Sequence, residues 1–185
     1  MPQPDYANHP AGAAGNPVIV GVIPDQPVEV VLTAARFAKK FHAPLICVQV
    51  NPTRYMTQVG PDGSVMSLPL DPDLGDEALE VFDSDLEQRI TDALAPRGVE
   101  WSVRALAGGP AFELGRLAEE VDAAMIVVGT RLPGFRGSVR SFLTGSVVAQ
   151  LSHRQHRPVV VVPLSPVGSD DELPWNTGHE RGGDE

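Results

Sequence analysis

The residues best suited to chemistry lie in one stretch, Gly129 to Val147, which reads Gly-Thr-Arg-Leu-Pro-Gly-Phe-Arg-Gly-Ser-Val-Arg-Ser-Phe-Leu-Thr-Gly-Ser-Val. Gly129, Gly134, Gly137 and Gly145 let backbone approach an anion closely, because no Cβ stands in the way. Thr144, Gly145 and Ser146 stand at the start of a helical stripe, so free N–H groups and hydroxyls would converge where a helix begins, a ready seat for phosphate. Arg131, Arg136 and Arg140 fall in the same loop. No Asp or Glu occurs from Ala123 to Ser169, whereas five Arg do, in a chain whose formal charge is −10. The expectation is that positive charge gathers beside the site. A purely structural reading stands next to it: the glycines make turns, Ser146 caps the helix, and the arginines are solvated.

Other candidates point to bland roles. His153 and His156, three apart at a helix end, lack an identifiable third ligand for a metal. Cys47, the only cysteine, sits in an apolar run where a thiol is inert, and its solitude excludes a disulfide framework. Asp71, Asp73, Asp76 and Glu77 form an acidic cluster, with Glu77 suited to a helix N-terminus. No catalytic triad is recognisable, and no catalytic residue is assigned. The acidic balance, with a pI near 4.9, disfavours nucleic acid and anionic membranes as partners. No run of about 20 apolar residues could span a bilayer. The reading is a soluble cytoplasmic protein.

Positioning that loop requires alternating strands and helices. Apolar runs at Val18–Ile23, Leu45–Val50, Val99–Ala105, Met125–Val128 and Val159–Val162 read as five strands. Stripes of helical period separate them: Val30, Ala34, Phe37, Ala38 and Phe41; Leu79, Phe82, Leu86, Ile90, Ala93 and Leu94; Leu114, Leu117, Ala118 and Val121; Leu143, Val147 and Leu151. This is the α/β pattern of a five-stranded, parallel, doubly wound, Rossmann-like sheet. The third run alternates, with Glu100, Ser102 and Arg104 polar, so it belongs at an edge; Leu45-Ile46-Cys47-Val48 is continuously apolar and belongs inside. That distinction selects the order 3-2-1-4-5. The winding then reverses between strands one and four, and the ligand crevice lies outside Ile23 and Gly129.

Three further segments complete the outline. Residues 1–15 are expected to be a disordered tail and 165–185 a disordered acidic one, leaving a domain of about 16–164. Residues 52–75 hold a β-hairpin, with Gly60-Pro61-Asp62-Gly63 at its tip, that would serve as a lid, a plug or, the first-ranked reading, a surface insertion. Val159–Val162, apolar on both faces at the far edge, invites pairing with a second copy as a homodimer.

The residues taken together resemble the universal stress protein family. The resemblance covers about Asn16 to Leu164 and rests on Gly-Gly-Pro-Ala (Gly108–Ala111), Ala-Ala-Met-Ile-Val-Val-Gly-Thr (Ala123–Thr130), Gly-Ser-Val (Gly145–Val147) and Arg-Pro-Val-Val-Val-Val-Pro (Arg157–Pro163). It implies the 3-2-1-4-5 sheet, dimers through the last strand and, in one branch, ATP binding. Carried over position by position, it implies nucleotide contacts at Val50, Val128, Gly129, Gly145, Ser146 and Val147, with Gly134 or Gly137 as the middle glycine and Arg131 nearby. The family's glycine spacing is altered here, since position 132 is Leu. Ile23-Pro24 stands where that branch carries an Asp, and Asp25 is the next carboxylate. Three functions follow: a stress-response protein holding ATP, with Mg; a dimeric interaction protein whose crevice is filled by Ile23, Pro24 and the hairpin; or an adenine nucleotide α-hydrolase-like enzyme without an identifiable catalytic group. At most, weak ATP hydrolysis is expected.

Overall fold

The computed structural model describes residues 15–130 and 145–164. Expectations about the two tails, and about Arg131, Gly134, Arg136, Gly137 and Arg140, lie outside those residues.

The chain runs β1 (Val18–Val22), α1 (Glu29–Lys40), β2 (Leu45–Asn51), β3 (Arg54–Val59), β4 (Val65–Pro69), β5 (Ala78–Leu79), α2 (Ser84–Leu94), β6 (Trp101–Ala107), α3 (Pro110–Glu120), β7 (Met125–Gly129), α4 (Gly145–Arg154) and β8 (Val159–Val162). Five of the strands form one parallel sheet in the order β6-β2-β1-β7-β8, which is the 3-2-1-4-5 arrangement. Its register aligns Val18 with Leu45 on one side and with Met125 on the other.

Period-two alternation divides the core into two layers. Val18, Val20, Leu45, Cys47 and Val127 turn to α1 and α2, where they meet Val30, Ala34, Ala38, Leu86 and Ile90. Ile19, Val48, Val50, Ile126 and Val128 turn to α3 and α4, against Leu114, Ala118, Val147 and Leu151. Because β1, β2 and β7 are covered on both faces, their side chains are apolar over Val18–Val22, Leu45–Val48 and Met125–Val128. Each fully buried Val or Leu contributes about 1.5–3 kcal/mol.

The polar alternation of the third predicted strand marks an edge: β6 pairs only with β2. Its Trp101, Val103 and Ala105 pack on the α1–α2 layer, while Arg104 lies under the tip of the β3–β4 hairpin, 3.3 Å from where a Cβ on Gly63 would stand. That hairpin, joined by β5, makes a separate three-stranded antiparallel sheet seated beside β6.

The second helix begins later than its stripe suggests. Leu79 belongs to β5 and is exposed, and Glu77 precedes that strand. The helix starts at Ser84 because the Asp83 carboxylate accepts the Leu86 N–H at 2.8 Å, and Asp83 has extended backbone that ends the preceding coil.

Candidate functional site

The carboxyl ends of the strands meet where the order reverses, between β1 and β7. α4 precedes β8, and Gly129 at the end of β7 is in register with Val162 at the end of β8. The Gly145 end of α4 therefore lies at the carboxyl end of the sheet, on the same side as Gly129. Val147 in its first turn is buried with Val50 and Val128 in one apolar cluster.

β1 leaves the sheet through a tight turn. Pro24 supplies the fixed φ of its first central position, and Asp25 takes the left-handed conformation at the second, φ 61°. The Gln26 N–H closes the turn onto the Ile23 carbonyl at 3.2 Å, while the Gln26 Oε1 accepts the Ile23 N–H at 3.2 Å. Asp25 is thereby held outward and exposed.

Gln26 is buried, and no sequence signal singled it out. Its carboxamide lies directly over Gly129. A Cβ on Gly129 would stand 2.7 Å from Gln26 Nε2, 2.9 Å from Val30 Cγ2 and 3.1 Å from Leu164 Cδ1. On the α1 side, then, Gly129 is glycine because the chain's own side chains leave no room. The strand ends are also zipped together: the Thr130 N–H donates to the Val162 carbonyl, and Thr130 Oγ1 accepts the Leu164 N–H, each at 2.8 Å.

On the α3 side the floor is nearly closed. Gly21, Val22, Ile23, Val48, Val50, Pro110 and Leu114 enclose a cavity of about 10 Å³, room for one water at most. No hairpin residue lines that cavity. The tip of the hairpin lies beside Arg104, in mid-strand, so it folds back along β6 and away from Gly129, with Val65 buried in the α3-side core. It is fastened at its base: Arg54 pairs with Glu80 at 3.2 Å and donates to Ser67 Oγ at 2.7 Å, and Asn51 Nδ2 donates to Glu80 Oε2 at 3.3 Å.

The charge pattern needs one correction. Arg154 and Arg157, two of the five arginines in the acid-free stretch, sit at the opposite end of the sheet, because α4 runs antiparallel to the strands it joins. Arg157 is paired there with Asp122 at 2.7 Å, and Asp122 also accepts from Asn16 Nδ2 at 2.9 Å. His153 and His156 are exposed at that same end, and among the described residues no group of three His, Cys, Asp or Glu could hold a metal ion. Burial pushes the Cys47 thiol up to about 12. No helix among the described residues is long and apolar enough to cross a membrane.

Residues 16–163 match the sequence profile of the Universal stress protein family. No curated protein matches the chain in sequence. Among solved structures, a universal stress protein in complex with cAMP is 24% identical, with a TM-score of 0.52, over 83% of this chain and 100% of that one. A universal stress protein family member from Burkholderia pseudomallei is 21% identical, with a TM-score of 0.50, over 83% of this chain and 99% of that one. The protein of a structure described as a structure-based assignment of the function of hypothetical protein MJ0577 is 13% identical, with a TM-score of 0.52, over 84% and 100%.

Proposed function

The chain belongs to the universal stress protein family, and from that premise we propose that it is an ATP-binding stress-response protein of the cytoplasm, a binding protein rather than an enzyme. The observation that carries this reading is that the Gly145 end of α4 lies at the same end of the sheet as Gly129, where the strand order reverses. The intervening segment carries Arg131, Arg136 and Arg140 and no acid. Phosphates would take the free N–H groups of Gly145, Ser146 and Val147, with Mg balancing their charge and the arginines closing over them. One structural relative, as noted, is described in complex with cAMP.

A second reading has its own observation. The cavity beside Val50 holds only about 10 Å³, and the Gln26 carboxamide lies over Gly129, so the chain's own side chains fill those two parts of the crevice. On that reading the protein is a dimeric interaction module. Both readings include a homodimer through Val159–Val162, whose Val159 and Val160 are half-buried and whose Val161 is exposed. Sedimentation at micromolar concentration should show the dimer, and a clean monomer refutes it.

Thermal unfolding with and without millimolar Mg-ATP separates the readings. Ligand at a hundred times its dissociation constant adds about 2.7 kcal/mol, a rise of roughly 5–11 °C for a domain of this size. Gly145→Asp should abolish the rise by putting a carboxylate in the phosphate seat, and a rise that survives it refutes the seat. No shift with ATP, ADP or AMP overturns the nucleotide reading in favour of the second.

A further inference from the structure

We propose that the acidic segment Asp170–Trp175 of this chain docks on the exposed face of α1, a surface unconnected with the crevice. α1 carries the only two lysines of the protein, Lys39 and Lys40, together with Arg36, and from Val30 to Pro61 the sequence holds no Asp or Glu. Arg36, Lys39 and Lys40 are exposed, and among the described residues no carboxylate pairs with them. Lys39 donates to the Arg97 carbonyl at 3.3 Å. Thr33, Arg36, Phe37, Lys39 and Lys40 line a groove of about 360 Å³. Phe37 and Phe41 stack along the helix with ring centroids 6.4 Å apart, and Phe41 is 47% exposed. In a protein of charge −10 this is a basic, aromatic strip, and its complement is an acidic peptide carrying an aromatic side chain.

The chain supplies such a peptide within reach. Asp170-Asp171-Glu172-Leu173-Pro174-Trp175 follows shortly after Leu164, and residues 165–185 hold six carboxylates against one arginine. The starting point is fixed: Leu164 Cδ1 and Val30 Cγ2 converge on Gly129, so the chain leaves the domain beside the first turn of α1. From there α1 descends toward the other end of the sheet. Arg36 and Lys40 lie about 9 and 15 Å below Val30 at ~1.5 Å per helical residue. Six extended residues, Ser165 to Asp170, reach about 20 Å at ~3.3 Å each, enough to set Asp170–Glu172 against Arg36–Lys40 and Trp175 near Phe37 and Phe41. Tethering gives the segment an effective concentration on the order of millimolar, an advantage no free acidic partner has.

The test uses the full chain. Trp101 and Trp175 are the only tryptophans, so Trp101→Phe leaves Trp175 as the sole reporter. At low salt its emission should lie to the blue of the free peptide 165–185 and resist acrylamide. Arg36→Glu with Lys40→Glu, or about 0.5 M NaCl, should return it to the peptide value; Arg154→Glu on α4 should not. Independently, acetylation of Lys39 and Lys40 in the otherwise unaltered chain should be about threefold slower than in an Asp170→Asn, Asp171→Asn, Glu172→Gln variant, the ratio for a segment docked two-thirds of the time. Peptide-like emission at low salt, or equal acetylation, overturns the proposal. Protection that fades on dilution also overturns it, assigning the strip to a second copy.

Discussion

Gly129→Ala isolates the reason for the glycine at the end of β7. If this position were glycine only so that a ligand could approach, the alanine variant without ligand would be as stable as the parent. The geometry says otherwise. A new methyl group would stand 2.7 Å from Gln26 Nε2, 2.9 Å from Val30 Cγ2 and 3.1 Å from Leu164 Cδ1. The amide of Gln26 and the methyl of Leu164 end flexible side chains and can swing aside, but Val30 is β-branched, helical and fully buried, so it is the rigid wall. Overpacking of this kind costs about 1–3 kcal/mol. Val30→Ala alone removes two buried carbons and leaves a void, a cost of about 2 kcal/mol. In the double variant the void receives the new methyl, so the two losses should fall short of additivity by about 1 kcal/mol or more. Urea unfolding of the four proteins at pH 7 measures this. A Gly129→Ala variant within about 0.5 kcal/mol of the parent, or a double variant whose loss is the simple sum, would refute the packing argument.

Three other perturbations test the frame around the site. Glu80→Ala removes the carboxylate that pairs with Arg54 and accepts from the hydroxyl of fully buried Ser67, so it should destabilise by about 3 kcal/mol; hydrogen exchange should locate the loss in β3–β5, and unchanged protection there would refute the role. Asp83→Ala removes the acceptor of the Leu86 N–H and should cost about 1 kcal/mol in urea unfolding, with an unchanged midpoint counting against it as the start of α2. For Cys47, burial raises the thiol from 9.0 to about 12, so above pH 9 the unfolded chain ionises first. Its contribution to stability is whole below that pH and falls between 9 and 12, with a slope no steeper than about 1.4 kcal/mol per pH unit. The stability gap between the parent and Cys47→Ala should therefore narrow from about pH 8 to about pH 10, and a constant gap would refute the assignment.

The sheet was legible in the sequence because burial on both faces leaves an unbroken apolar run, as in Leu45–Val48, whereas Glu100, Ser102 and Arg104 betray an edge. The start of α2 was less so. Leu79 and Phe82 continue the spacing of Leu86 and Ile90, and periodicity alone cannot show that Asp83 interrupts it; the cap was the available signal. The turn at Ile23–Gln26 also had one, Pro followed by Asp. What no local pattern could reveal is that Gln26 and Val30, from the start of α1, and Leu164, far along the chain, converge on Gly129. The same holds for Arg154 and Arg157, whose proximity to the crevice in sequence conceals a helix-length of separation in space.

The two margins of the sheet differ in a way that governs assembly. The β6 margin carries Arg104, with a second sheet seated beside it, whereas β8 carries an exposed Val161 preceded by half-buried Val159 and Val160. A subunit with two open margins can polymerise without end; one with a single open margin exhausts it at the first isologous pairing. If copies pair through β8 as proposed, growth is self-limiting while the β6 margin stays covered, and a mutation that removed the β3–β5 insertion would put fibre formation within reach of this fold.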